Sequence, residues 1–561
     1  MIKTMHMLLL PILAMGVIVP TEIAAQTSQN DTYALDEQAI GITETINNIV
    51  NVTVVSKDAS DFKAEYRAGF VQGKLQAKGI LAARDNNWNL SYLLDPAHAF
   101  PRHRNPTSAD LDRAGGVLKG NFNAFVQYLK NPNTDAEVSY RLKRLLFRMV
   151  GIYHGAARDK PALLDFSGNW LPDVQYFKAD ELKLGYETPT LSFMDLYYIN
   201  GFADFGDVIA NTGEHKEASA KDAAQSSTKM ASSHPEKCSA FLKRTSDGQV
   251  ILTHNTWSGF LSQTQSITLS VNNDRMTVNA ATPGLIASGT DFGYNNKGIM
   301  FNETTHRMSR TKVKPNGLWI FWRAALAEQF SSSIDDFFRY ISLDNSGTYL
   351  NGYMLTDAKN NETGLVEMSY RCFVYYRSTG GAYSVTSKSL DGKPCSTEYD
   401  KEMVTPSYLM GINFPASFQV RTDLQSTDNR PARRRQFKKF LPGVDNIASA
   451  KKVISYTDPA NPLSINGRWD LDYGETDYPQ MIPDGTIDEK VANTAMVRSF
   501  MGLSGTLDRQ SKNTGFWMRY GTAIVNGDPY IWSQSSWKWQ KRREVPDRLD
   551  GKFVLLPLHL K

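Results

Sequence analysis

The chain has 561 residues, 41% hydrophobic and 21% charged, with a net charge of +4. That length exceeds one ordinary core, and the composition is that of a globular protein, not a disordered or fibrous one. The charge is too small to argue for a nucleic-acid partner, and no internal run of about 18 apolar residues marks an integral membrane span.

Lys3 precedes an apolar run from Leu8 to Val19, and Ile23-Ala24-Ala25 offers a cleavage site. Residues 1–25 therefore read as a signal peptide. The expected location is secreted or lumenal: periplasmic or extracellular in a bacterium, lysosomal or extracellular in a eukaryote. An uncleaved anchor is the other reading, although Pro11 and Pro20 interrupt the run. Glycosylation sequons stand at Asn30, Asn51, Asn89, Asn302 and Asn361.

Residues 26–210 read as mainly helical. A β-branched run from Ile49 to Val55 predicts a strand, and Phe62, Tyr66, Phe70 and Leu75 predict a helix over about 59–83. Gly69 and Gly73 interrupt that helix four residues apart, which implies close packing of a second helix. Further helices are predicted over about 109–129, 135–154 and 191–208.

Residues 211–237 have no aromatic residue and no apolar periodicity, and read as an exposed linker open to cleavage. From Cys238 the pattern turns to strands. Two apolar runs flank Ser246-Asp247-Gly248, a strong hairpin signal, and the second run ends in His254-Asn255-Thr256-Trp257. A second hairpin spans 263–281 around Asn272-Asn273-Asp274. A third pairs Gly284–Gly289 with Gly298–Thr304. Helices over 319–330 and 333–341 and strands over 352–357 and 363–376 follow. Strand runs followed by helices argue an α+β fold with helices covering antiparallel sheets. Trp517, Tyr530, Trp532, Trp537 and Trp539 near the C-terminus read as packing residues, with a glycan or lipid platform as the alternative.

The cysteines are Cys238, Cys372 and Cys395. Cys372 and Cys395 flank a Gly/Ser/Thr-rich segment readable as a hairpin, which would let them pair and leave Cys238 outside. Three buried thiols is the other reading. Cys238 opens a hairpin where the polar linker ends. Cleavage between Lys237 and Cys238 would give that residue a free α-amine of pKa about 7.7–8.0, so one residue would hold both nucleophile and base. The same thiol can attack the Lys237 carbonyl and cut its own chain. His103, His154, His215, His234 and His306 show no ligand spacing, so no metal site and no cofactor are expected. A papain-like arrangement needs a helix after the cysteine and is disfavoured.

Cys238-Ser239-Ala240 followed by His254-Asn255-Thr256-Trp257 resembles the signature of the phospholipase B-like family of N-terminal nucleophile hydrolases. Asp291-Phe292 with Gly298 and Glu303-Thr304-Thr305, the Asp428–Phe437 block, Arg468–Leu471, Gly485–Val491 and Leu191–Asp195 are similar to further family blocks. The resemblance implies a four-layer αββα sandwich and maturation before Cys238, with the N- and C-terminal fragments remaining associated and residues 238–561 forming the core and a C-terminal extension. It also implies an oxyanion-hole asparagine, matched by Asn413, and a later arginine, matched by Arg433 or Arg434. Asn255, Thr256, Trp257, Asp291, Glu303 and Arg434 become substrate-pocket candidates. Bile-salt-hydrolase relatives carry an arginine and an aspartate where this chain has His254 and Trp257. His254 is thus left to orient the amine, orient the acyl carbonyl, or line the pocket. The implied substrate is an acyl lipid or an N-acyl amide. A non-catalytic lipid- or glycan-binding protein on the same scaffold is the alternative.

Overall fold

Two glycine pairs set the packing of the N-terminal helices. Helix α1 (Asp61–Leu93) follows Ser60, whose hydroxyl accepts from the Lys63 N–H. Helix α2 (Ser108–Lys130) begins with a reciprocal Thr107/Asp110 capping box, and α3 (Ala136–Ala157) with Asp135 accepting from Val138 N–H. A Cβ on Gly69 would lie 2.2 Å from the Arg148 carbonyl oxygen, and one on Gly151 2.1 Å from the Tyr66 oxygen. Gly73 and Gly155 are equally tight, so α1 and α3 touch backbone to backbone, as the glycine spacing predicts. The computed structural model describes residues 27–93, 105–212, 237–258, 265–271, 275–306, 311–428, 431–458, 464–467, 485–503, 515–521, 530–534, 546–549 and 551–556. The expected signal peptide, most of the polar linker, the Asn272–Asp274 turn, Arg468–Leu471, Trp537 and Trp539 lie outside them.

The predicted helix over 191–208 is two, α4 (Phe193–Asn200) and α5 (Phe202–Thr212), separated at Gly201, whose Cβ position is filled by the Trp319 ring. Later helices are α6 (Ile320–Phe330), α7 (Ile334–Ile341), α8 (Phe418–Leu424), α9 (Pro431–Phe440), α10 (Ile447–Ile454) and α11 (Thr494–Met501).

The N-terminal third is less purely helical than its sequence suggests. Strands β1 (Thr27–Asp36), β2 (Ala39–Ile46) and β3 (Ile49–Ser56) form a meander ahead of α1. The predicted hairpin after the linker is β4 (Lys237–Arg244) and β5 (Val250–Ser258), with Gly248 at φ +78° in its turn. Next come β6 (Gln265–Val271), β7 (Arg275–Ala281), β8 (Phe292–Asn295) and β9 (Ile299–Thr305). Gly284–Gly289 is a loop, not a strand, and β9 pairs with β8 instead. The expected strand over 363–376 is split by a turn. It falls into β11 (Glu362–Met368) and β12 (Cys372–Ser378), which lie between β10 (Asn351–Asp357) and β13 (Ser384–Ser389). Strands β14 (Tyr408–Gly411), β15 (Gly485–Asn493) and β16 (Trp517–Tyr520) follow. A small pair, β17 (Tyr530–Ile531) and β18 (Arg548–Leu549), precedes β19 (Val554–Leu555).

These strands build two large sheets. The first has eleven strands in the order β1-β2-β3-β6-β7-β8-β9-β10-β11-β12-β13, and the second six in the order β14-β4-β5-β15-β16-β19. All neighbours are antiparallel except β3 and β6. That parallel pair joins the N-terminal meander to the strands after Cys238 through a long crossover. The sheets face each other where β4 and β5 meet β9, and β14 meets β10. Helices α1, α6 and α7 cover the outer face of the first sheet, and α3 packs on α1. Helix α10 covers β5 and β15, and Phe437 of α9 meets Phe241 of β4 edge-on. The layers run helix, sheet, sheet, helix, an α+β sandwich with the core between the sheets.

Cys372 and Cys395 form a disulfide, and Cys238 stays outside it. Of the sequons, Asn51 and Asn302 are buried, which leaves no room for a glycan in the folded chain. Among the described residues no helix is long and apolar enough to cross a membrane.

Candidate active site

Strand alternation decides which side chains meet between the sheets. Cys238 pairs with Thr256, and Ala240 with His254. On the far side of β5, Asp488 pairs with Thr256 and Lys490 with His254. Residues opposite each other share a face. Cys238, Thr256, His254, Asp488 and Lys490 therefore form one patch on the second sheet. The patch faces the first sheet, where Asn302 Nδ2 donates to the Thr253 carbonyl at 2.7 Å.

Cys238 is held by its backbone. Its N–H donates to Asn413 Oδ1 at 2.8 Å, and its carbonyl accepts from Arg433 Nη1 at 2.5 Å. The same Nη1 donates to Asn413 Oδ1 at 3.0 Å, and Arg433 Nη2 donates to the Ile412 carbonyl at 2.6 Å. Asn413 Nδ2 donates to the Thr305 carbonyl at 2.7 Å. Two donors on one side and one acceptor on the other fix the orientation of this amide. Asn413 also has φ +60°, a left-handed conformation that asparagine tolerates better than most side chains. Arg433 is 1% exposed and stacks 5.1 Å above the Trp257 ring.

The thiol side is different. A ligand atom from each of Cys238, His254 and Asp291 lies within 4.8 Å of the others, and all three residues are buried. Asp291 reaches this place from the first sheet, at the turn before β8, with φ +59°. Burial, then the nearby charge of Lys490, holds the His254 imidazole well below its ordinary pKa, with the Glu303 backbone acting less strongly the other way. Lys490 is itself fully buried. Its ammonium donates to Thr256 Oγ1 at 2.7 Å, to the Thr290 carbonyl at 2.6 Å and to the Asp488 carboxylate. Its three N–H donors thus meet three acceptors, and one of these is the residue before Asp291.

The remaining sequence candidates fall elsewhere. Asn255 and Trp257 sit on the opposite face of β5, toward α9. Asn255 Oδ1 accepts from Ser239 N–H at 2.7 Å, and its Nδ2 donates to the Ile465 carbonyl at 2.8 Å. Glu303 belongs to β9, where Asn302 and Thr304 turn toward the second sheet and Glu303 therefore turns toward the helices, opposite Tyr353. Arg434 is part-exposed and pairs with Asp400 and Glu402. Of the two arginines left open by the sequence, it is Arg433 that reaches Cys238. Lys237 continues β4 opposite Trp257.

The Phospholipase B family profile matches residues 175–555, more than half of the chain and all of the patch just described. The chain belongs to the phospholipase B family. It is 22% identical to Phospholipase B-like protein B of Dictyostelium discoideum over 374 residues, covering 62% of this chain and 61% of that protein. It is 25% identical to Phospholipase B-like protein G of the same organism over 329 residues, covering 53% and 52%. The chain thus spans less than two thirds of the length of these curated relatives.

Two features of this phospholipase B-family chain escape a reading of its sequence. The buried Asp488–Lys490 pair looks like an ordinary exposed alternation in Asp488-Glu489-Lys490, because only sheet pairing turns two of these three charges inward. The convergence of Cys238, His254 and Asp291 is the second, a grouping that the histidine spacings did not point to. Only a search by spacing among histidines was open to the sequence, and these three residues sit on three different strands or turns.

Proposed function

We propose that this chain is a cysteine hydrolase that matures by cleavage between Lys237 and Cys238 and then deacylates lipids. The observation that carries the reading is the grip on Cys238. Asn413 accepts from its nitrogen and Arg433 donates to its carbonyl, while the thiol lies beside His254 and Asp291. A residue held by both backbone ends, at the start of a strand, keeps its position when the bond before it is broken.

In the maturation step the Cys238 sulfur attacks the Lys237 carbonyl. The peptide nitrogen leaves as the α-amine of Cys238, and a thioester to Lys237 forms. Water hydrolyses that thioester, leaving a Lys237 carboxylate and a thiol. In turnover the amine keeps one N–H on Asn413 Oδ1, which leaves its lone pair able to turn toward its own sulfur. It takes the thiol proton, the thiolate attacks the acyl carbonyl, and the proton passes to the departing alcohol or amine. Water then releases the fatty acid from the acyl-enzyme. His254, held neutral by burial and Lys490, is suited to accept or donate a hydrogen bond and not to carry charge. Arg433 supplies a fixed positive charge behind the site.

The family name favours phospholipid esters; linear N-acyl amides suit the same chemistry. Several contacts support the two fragments staying together. Strand β3 pairs with β6, Glu65 pairs with Arg275, and the Asp204 carboxylate accepts from Ile320 N–H. The secretory route, with residues 1–25 removed, belongs to the same proposal. The test is fatty-acid release from phospholipid and lysophospholipid vesicles by wild type and Cys238→Ala. Equal release by both would end the reading.

A further inference from the structure

We infer that Cys238, His254 and Asp291 form a binding site for a thiophilic divalent cation of the zinc class. The three residues offer one sulfur, one imidazole nitrogen and one carboxylate oxygen, each within 4.8 Å of the others. Tetrahedral zinc, with bonds of about 2.0–2.3 Å, sets its ligand atoms roughly 3.3–3.6 Å apart. Side-chain shifts of about 1 Å therefore close the set. Thiolate, imidazole and carboxylate are the three ligand types zinc takes from proteins, and three protein ligands leave a fourth position for water.

A second observation points to a ligand. His254 is 0% exposed, and apart from an approach to the Glu303 backbone its ring nitrogens make no hydrogen bond of ordinary geometry among the described residues. Buried polar atoms are ordinarily satisfied, and leaving one unpaired costs about 1–3 kcal/mol. The imidazole shares its sheet face with Cys238 and reaches toward the sulfur and the Asp291 carboxylate, so a cation there would satisfy it. Lys490 sits nearby and would repel a cation, but its ammonium is paired with Asp488 and bonded to Thr256 and Thr290. Against it stand the two negative charges of a thiolate and Asp291. On binding, the thiol proton goes to solvent and a sulfur–metal bond forms.

The site itself does not depend on the hydrolase reading, but its consequence does. A thiolate bound to the cation is not available to attack an acyl carbonyl, so occupancy holds the enzyme off.

The test is equilibrium dialysis of the full chain against zinc chloride, with cobalt(II) absorption as a second readout. Wild type is expected to hold one zinc and to show a thiolate-to-cobalt charge-transfer band. Cys238→Ser, His254→Gln and Asp291→Asn, each confirmed folded by thermal melting, are expected to bind zinc at least about 100-fold more weakly, since even partners beyond the ligands are worth about 10–100-fold. The absence of both zinc and the cobalt band in wild type would overturn the site, as would undiminished zinc in folded His254→Gln and Asp291→Asn. Tight zinc with no effect on fatty-acid release would sink the hydrolase reading and leave the site standing. Cys238-dependent release with no zinc bound would do the reverse.

Discussion

Asn413 faces Cys238 with its oxygen, not its nitrogen: Oδ1 accepts from the Cys238 N–H at 2.8 Å, and Nδ2 is committed to the Thr305 carbonyl. The resemblance implies an oxyanion-hole donor at this position. In this geometry it accepts from the Cys238 nitrogen, and under the proposed maturation it would orient the α-amine. Asn413→Asp keeps that acceptor and adds a negative charge, which favours the ammonium form and raises the amine pKa by about 1 unit or more. The acid limb of kcat/KM is expected to move to higher pH by that amount. A pure oxyanion donor would lose kcat with no shift of the limb.

The two adjacent arginines are expected to behave oppositely. Arg433→Met strands the Cys238 and Ile412 carbonyls in the interior, at about 1–3 kcal/mol each, and abolishes hydrolysis. Arg434 makes part-exposed ion pairs with Asp400 and Glu402, so Arg434→Ala should cost no more than about 1 kcal/mol and leave activity intact. Urea midpoints and fatty-acid release on both variants check this.

Gly151→Ala drives a methyl group into the Tyr66 carbonyl, and no rotamer relieves a clash with backbone. The expected loss is about 1–3 kcal/mol or more, as for other overpacked sites. Gly116→Ala, at a helical position with nothing within 4 Å of the added carbon, should be neutral or stabilising. Thermal melts of the pair make the comparison.

Glu328 is buried beneath the site. Burial first, then the charge of Asp291, raises its carboxyl to about 8, against the Ser288 N–H, which lowers it. Between about 4.5 and 8 the folded chain holds a proton that the unfolded chain has lost. This group's contribution is therefore complete below about 4.5 and is lost as pH rises through 8, with a slope of up to about 1.4 kcal/mol per unit. Glu328→Gln removes that slope. Denaturant midpoints at pH 6 and pH 9 should fall for wild type and stay closer together for the variant.

The parts of the fold legible in the sequence are those with local causes. Asp247-Gly248 fixes the hairpin behind Cys238, and the Gly69/Gly73 spacing anticipates the contact with α3. The β1–β2 pair went unread because Thr27–Asp36 is polar and lacks an apolar alternation. Its neighbouring turn did carry a signal, since Asn47 and Asn48 both take positive φ, as a tight hairpin turn requires. In the site, Cys238 was legible from where it sits, at the edge of a polar segment. Asn413 and Arg433 came from resemblance, because nothing local distinguishes Arg433 from Arg434. The inward turn of Asp488 and Lys490 and the approach of Asp291 depend on pairing between distant strands, which no local pattern records.

The central claim is that Cys238 becomes the first residue of the working enzyme. Intact-mass measurement with N-terminal sequencing, on wild type that releases fatty acid and on Cys238→Ala, tests it most directly. The account predicts two associated fragments in wild type, the larger beginning at Cys238, and an uncut peptide bond after Lys237 in the variant. An active wild-type protein whose chain runs unbroken through Lys237 and Cys238 would contradict it.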